Sequence, residues 1–385
     1  MSGRIFLVAA ESSGDALGAD LIRALRHDDP ALELVGVGGA AMAREGVKSD
    51  IDLSGLAVLG FVEGLMAYSK VKRAVKETVA AILTAKPDVV VLIDSWGFTL
   101  RVAQGVRAAA PAIKLVKYIG PQVWAARPGR AETLAKTVDR LICIHDFEVP
   151  YYAPFGLPCT VCGHPALGRY KPGDGAAFRA RHGLKPDEQI LLILPGSRAA
   201  EVRRIGPTFW QAADALVQSH PGLRLVVVAA TPVMDAVRQQ ANPQALMVEE
   251  GEKEDAFAAA TVAVAASGTV TTEVALQGAP IVVGYKLAAL TAMLARRVIR
   301  TPYVTLINVA AKDAVIPEYL QENLTAENLI GAVSALLDDP AKRAAQARAQ
   351  NDALAKMGRG QRPAAEVAAD AVIAILSRSS GRIRR

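Results

Sequence analysis

Short runs that are apolar on both faces alternate with longer segments whose apolar residues recur every three or four positions. The first half carries such runs at Arg4–Ala10, Glu33–Val37, Pro87–Ile93, Lys114–Tyr118 and Arg140–Ile144. The second repeats the pattern at Ile190–Leu194, Leu223–Ala229, Ala245–Val248, Val262–Ala265 and Pro280–Val283. Between them the periodicity predicts helices over Asp15–Arg26, Val71–Ala85, Thr99–Ala109 and Arg130–Thr137, then an Ala-rich helix at Ala341–Ala355 and a last one at Glu366–Ser377. Strands buried on both faces and separated by helices form parallel sheets covered on both sides. Ala166–Gln189, with Pro172, Gly173, Gly175 and Pro186 among many charges, predicts a linker carrying one short helix. The fold class is therefore α/β, with two doubly wound, Rossmann-like parallel-sheet domains facing across a cleft. The first spans 1–168, the second 169–355, and 356–385 holds the last helix and a basic tail with Arg378, Arg382, Arg384 and Arg385.

Composition narrows the partners. At 385 residues the chain exceeds one core, which agrees with two domains. The formal charge is +6, from 44 basic against 38 acidic residues, but the basic residues are dispersed and only 5% are aromatic. That disfavours nucleic acid and leaves an anionic membrane face or a phosphorylated ligand. Ile5–Ala10 is too short for a secretory signal, and no run reaches the roughly 18 apolar residues of a membrane span. Three cysteines suit a reducing compartment. The expected location is cytoplasmic.

The most informative stretch is Leu191–Arg198, where a buried strand runs into Pro195, Gly196, Ser197 and Arg198 just before a helix. Glycine admits close backbone approach, helix amides donate to anions, and arginine offers a planar fork of donors suited to phosphate. A second elbow follows Thr261–Ala266 at Ser267, Gly268 and Thr269, with Glu273 inside the next helix. Two such strand ends imply a bound diphosphate, and Glu273 is a candidate for ribose hydroxyls. The first strand runs into Glu11, Ser13, Gly14 and Asp15, which is neither a dinucleotide fingerprint nor a P-loop. This loop borders a ligand at the strand's C-terminal edge; in the competing reading Ser13 and Asp15 only cap the helix. Asp94, straight after Pro87–Ile93, sits where a carboxylate can accept a proton, or caps the helix behind it. Trp124 ends a later strand as a second wall or as packing. Cys159 and Cys162 form a C-x-x-C with His164 nearby, but no fourth ligand has readable spacing. No D-x-D follows a predicted strand, so neither a metal nor a cofactor is expected.

Together these segments resemble the lipid-A-disaccharide synthase family, inverting glycosyltransferases of the GT-B architecture. The resemblance rests on residues 10–25, LAVLGFVEGL (56–65), KPDVVVLID (86–94), YIGPQVWA (118–125), GHP (163–165), LPGSRAAEV (194–202), ASGTVTTEVAL (266–276) and TPYVTLINVAA (301–311). It implies transfer from UDP-2,3-diacylglucosamine to 2,3-diacylglucosamine 1-phosphate, giving a β-1,6-linked disaccharide and UDP. It also implies Asp94 as general base, Arg198 at the donor diphosphate and Asn308 on the nucleotide side. By analogy with the GT-B class, the last helix folds back on the first domain. The chain departs from the family at Gly97, where a second acid is common, and at Ala126, where a tryptophan is.

Acylated substrates require contact with a membrane, here the cytoplasmic face of the inner membrane. Leu65, Met66, Tyr68, Val71 and Val75 stand beside Lys70, Lys72, Arg73 and Lys76; Leu287–Arg300 mixes the same kinds of residue. Each describes an interfacial helix, or an amphipathic helix with a solvated basic face. Alternatives are a UDP-sugar 2-epimerase of the same fold and a non-catalytic nucleotide-sugar-binding protein. A homodimer is the open alternative to a monomer.

Overall fold

In the computed structural model, residues 3–51, 53, 64–288, 299 and 301–379 are described, without the side chains of 64–68, 378 and 379. The expected segment 56–65 thus lies almost wholly outside the described residues, as does most of Leu287–Arg300 and the end of the basic tail. The chain divides into two compact units, Met1–Gly168 with Gln361–Arg385, and Arg169–Gly360.

The first unit is built on six parallel strands, β1 (Arg4–Ala9), β2 (Glu33–Val37), β3 (Val89–Ile93), β4 (Lys114–Tyr118), β5 (Arg140–Cys143) and β6 (Cys159–Val161). Their order is β2-β1-β3-β4-β5-β6, so the winding reverses between β1 and β3. Alternate residues feed two cores. Ile5, Leu7, Val89, Val91 and Val116 pack with Leu21 and Leu25 of α1 (Ser12–Asp28) on one face. Phe6, Val8, Val90, Leu92 and Leu115 pack on the other, with Ile82 of α3 (Gly64–Ala85) and Val102 of α4 (Trp96–Ala109). Between α1 and α3 lies the short α2 (Ala40–Arg44). The helix Ala364–Ser379 adds Ala368, Ala369, Val372 and Ile375 to the α1 core.

The second unit repeats the plan with β7 (Ile190–Leu194), β8 (Arg224–Val228), β9 (Leu246–Val248), β10 (Val262–Ala266), β11 (Ile281–Tyr285) and β12 (Glu318–Leu320). The order β12-β11-β10-β7-β8-β9 reverses between β7 and β10. Helix α5 (Ala199–Ser219) sends Val202, Ile205, Phe209 and Leu216 against one face. Four helices matter below: α5, α6 (Lys253–Ala259), α7 (Thr269–Leu276) and α8 (Leu306–Ala311). In an open parallel sheet the carboxyl ends of the strands gape where the winding reverses, and ligands bind there. Both units place the chemistry-bearing residues at that point.

Candidate active site

In the second unit the reversal sets the two expected elbows side by side, because Ala265 of β10 pairs with Leu194 of β7. They line one cavity of about 350 Å³, with Gly196, Ser197 and Arg198 from the first elbow and Ser267, Gly268, Thr269 and Glu273 from the second. Gly196 has φ +109°, and a Cβ there would lie 3.0 Å from Glu201 Oε2, so both backbone and space ask for glycine. Helices α5 and α7 begin at this cavity, and the free amides of a first helical turn are the usual means of holding phosphate oxygens. Ser267 Oγ donates to the Val304 carbonyl, which ties the second elbow to the segment before α8.

Four of the charged groups lining the cavity are paired. Arg198, with 77% of its side chain exposed, donates through Nη1 to Glu201 Oε1 at 2.9 Å. Lys253 of α6 donates to Glu273 Oε2 at 2.9 Å. Glu201 and Lys253 both line the cavity and went unnoticed in the sequence. Glu201 was the readable one, three residues past Arg198 on the first helical turn; Lys253 lies 20 residues from its partner and carried no local signal.

Asn308, which the resemblance places on the nucleotide side, is buried and its amide is bonded to protein. Nδ2 donates to the Ile316 carbonyl and to Glu318 Oε1, and Oδ1 accepts from the Ile316 amide. Glu318 also accepts from the Thr305 hydroxyl and the Val304 amide. With no donor left for a ligand, Asn308 fixes the 304–318 segment that carries the Ser267 contact.

In the first unit the reversal brings Glu11, Ser13 and Gly14 from the end of β1 next to Asp94 and Ser95 from the end of β3. Two hydroxyl–carboxylate bonds cross the gap in opposite senses. Ser13 Oγ donates to Asp94 Oδ2 at 3.1 Å, and Ser95 Oγ donates to Glu11 Oε1 at 2.8 Å. Gly14 is buried, with Asp94 Cβ 3.6 Å from where its own Cβ would stand. Asp94 and Ser95 are both in the left-handed region, at φ +48° and +41°, and Ile119 at the end of β4 has φ +65°. Consecutive non-glycine residues there are held against their preference by surrounding contacts.

The capping readings fail. Helix α1 starts earlier than its pattern suggested, so Ser13 and Asp15 lie inside it, and its cap residue Glu11 makes no side-chain cap bond. Asp15 instead accepts from the amides of Gly39, Ala41 and Met42, closing the start of α2. Ser95, not Asp94, occupies the cap position of α4.

Behind Asp94 lies a residue the sequence did not single out. Lys117 of β4 is 2% exposed. Its ammonium donates to the Asp94 carbonyl and, at 2.9 Å, to Thr99 Oγ1. Burial pulls its pKa down to about 7, while Asp94 and Glu11 raise it in opposition. The only signal was a lysine at an interior position of the strand KLVKY.

The other expected residues are recorded with different neighbours. Trp124 packs edge-on to Phe147, ring centroids 5.4 Å apart. His164 lies 5.9 Å from the His145 ring. Cys159 is in strand β6, and burial pushes the Cys162 thiol up to about 12, far from the thiolate that redox or metal chemistry needs. Among the described residues no cluster of three or more His, Cys, Asp or Glu could hold a metal. On α3, Val71 and Val75 pack against the first unit's core, whereas Lys70, Lys72 and Arg73 are exposed. From residue 71 onward the apolar stripe therefore faces protein, which corrects its assignment to lipid. The side chains of Leu65 and Met66 are outside the described residues.

Residues 5–372 match the lipid-A-disaccharide synthetase family. The lipid-A-disaccharide synthase of Rhodospirillum centenum is 39% identical over 380 residues, covering 97% of this chain and 95% of that protein. That of Paramagnetospirillum magneticum is 40% identical over 376 residues, covering 96% of each. Among solved structures, UDP-GlcNAc 2-epimerase from Neisseria meningitidis bound to UDP-GlcNAc gives a TM-score of 0.63 at 12% identity, covering 97% of this chain and 100% of that one. A glycosyltransferase from Rickettsia africae gives 0.57 at 10%, covering 98% and 99%. These distant structures share the fold; the identity over full length decides the family. The chain belongs to the lipid-A-disaccharide synthetase family.

Proposed function

We propose that the chain transfers the glucosaminyl group of UDP-2,3-diacylglucosamine to the 6-hydroxyl of 2,3-diacylglucosamine 1-phosphate, with inversion. Asp94 accepts the hydroxyl proton, the O6–C1 bond forms, and the bond from C1 to the diphosphate breaks. Negative charge then grows on departing UDP. Arg198 and the amides behind Gly196 and Ser267-Gly268-Thr269 neutralise it, an arrangement that asks no metal of these residues. Glu273 takes ribose hydroxyls. The enzyme works on the cytoplasmic face of the inner membrane, where the acyl chains of both substrates are anchored.

The observation that carries this reading is that both phosphate-suited strand ends line one cavity at the reversal point of a parallel sheet. Purified protein with defined diacylated donor and acceptor, assayed for UDP and disaccharide, tests it. Asp94→Asn lowers turnover by about two orders of magnitude or more, with donor affinity little changed. Turnover near the parent's would remove Asp94 from the base role. Formation of the 2-epimer of the donor sugar, without disaccharide, would replace the whole reading with the epimerase one.

A further inference from the structure

The Asp94–Ser95 turn is an unfavourable backbone that something must hold. Two successive non-glycine residues at positive φ are disfavoured and persist only where neighbours fix their carbonyls and side chains. The fixing groups come from two directions. From α4, the Thr99 hydroxyl is shared between the carbonyls of Asp94 (2.8 Å) and Ser95 (3.0 Å). From β4, the Lys117 ammonium donates to the same Asp94 carbonyl and to Thr99 Oγ1. Thr99 is fully buried, so neither contact is exchanged with water.

Lysine is an expensive choice for this task. β4 is an interior strand, flanked by Leu92 of β3 and Leu141 of β5 in register with Lys117. A buried ammonium in such a place loses its hydration, and a neutral side chain would serve the packing better. What a neutral side chain could not do is face charge. Among the described residues, the charged groups facing Lys117 are the carboxylates of Asp94, at the end of β3, and Glu11, at the start of α1, while α4 presents the Thr99 hydroxyl. These two carboxylates are also the acceptors of the crossed bonds from Ser13 and Ser95.

We propose that Lys117 is the positioning residue of the catalytic turn: its ammonium, relayed through Thr99, locks the left-handed Asp94–Ser95 backbone and supplies the counter-charge against which the Asp94 carboxylate is presented to the acceptor. The assignment rests on Asp94 as the base. It adds that the site depends on a proton held by a group that touches no substrate. Because burial brings the Lys117 ammonium down to about 7, its charge is lost as the pH rises through neutrality. The Asp94 and Glu11 carboxylates then face each other without it, and turnover falls on the alkaline side.

The test is the rate of UDP release with defined diacylated donor and acceptor, across pH 6 to 9, with melting temperature measured on every variant. Lys117→Met is expected to lower kcat about tenfold or more with donor KM within about twofold, and to lose the alkaline decline. Thr99→Val is expected to lower kcat about as far while keeping that decline, and Thr99→Ser to restore most of the rate. Parent-like kcat in Lys117→Met, or an alkaline decline at the same pH in both parent and Lys117→Met, overturns the proposal. If Lys117→Met does not fold, equal rates for Thr99→Val and Thr99→Ser overturn it instead. Asp94→Asn run alongside separates the two ideas: a fast Asp94→Asn removes the base, whereas a slow Asp94→Asn beside a fast Lys117→Met removes only the positioning role.

Discussion

Arg198 reaches across the first turn of its own helix to Glu201, and this ion pair stands on the rim of the cavity where a diphosphate would have to be met. The arginine is mostly exposed and the carboxylate mostly covered, so the pair holds the guanidinium at the cavity and contributes little to stability. Arg198→Ala should therefore change the unfolding free energy by less than about 0.5 kcal/mol. It should lower kcat by about 10²–10³, the loss seen when one donor to a developing anion is removed. Arg198→Lys keeps the charge without the planar fork and should recover only part of the rate. Parent-like kcat in Arg198→Ala would dismiss it from the leaving-group role.

Glu273 reaches the cavity already partnered by Lys253, so its second oxygen is the one open to a ribose. Glu273→Gln should weaken UDP binding about tenfold, near 1.4 kcal/mol. Calorimetry with 2′-deoxy-UDP and 3′-deoxy-UDP checks the assignment. If Glu273 meets one of those hydroxyls, the loss from Gln and the loss from that deoxy sugar will not add. Additive losses for both analogues place the carboxylate elsewhere.

Exposed Lys70, Lys72 and Arg73 stand on the solvent side of α3. Reversing all three charges should release the protein from anionic vesicles in flotation, by up to about 1 kcal/mol per basic residue near the surface, and added salt should do the same to the parent. Unchanged, salt-insensitive flotation would assign membrane contact to another part of the chain.

Glu148, 4% exposed, accepts from the amides of Ile144 and His145 at the end of β5, yet burial raises its pKa to about 7. A raised folded-state pKa means a contribution fully present below the unfolded carboxyl value and lost as pH climbs through about 7. Glu148→Gln keeps an acceptor oxygen and never ionises. Urea unfolding should thus show Glu148→Gln gaining on the parent between about pH 4.5 and 7, by up to about 1.4 kcal/mol per pH unit. A constant difference over that range would show that Glu148 ionises alike in both states.

Ten strands were legible because their apolar runs suit burial on both faces. The two that escaped, Cys159–Val161 and Glu318–Leu320, are half-buried edge strands of three residues with no such run. Both phosphate elbows and Asp94 were legible as strand ends, since the chemistry follows the last buried residue. The pairing partners were not. Asp15 caps α2 from 24 residues away, Lys253 meets Glu273 across 20, and Lys117 meets Asp94 across 23, distances set by strand order rather than by local spacing. Asn308 was named through the family resemblance alone, and its bonds to Ile316 and Glu318 carried no local signal.

The helix Ala364–Ser379 packs into the same core as strands β1 and β3. During synthesis the ribosome therefore releases the first unit's strands and α1 long before the residues that complete the cover of that face of the sheet. The core that Leu21 and Leu25 share with β1 and β3 stays incomplete until Ala368, Ala369, Val372 and Ile375 have been made. The unit begun first is completed only after the second has been made, and a chain stopped before Ala364 would lose part of the core of the half translated at the start.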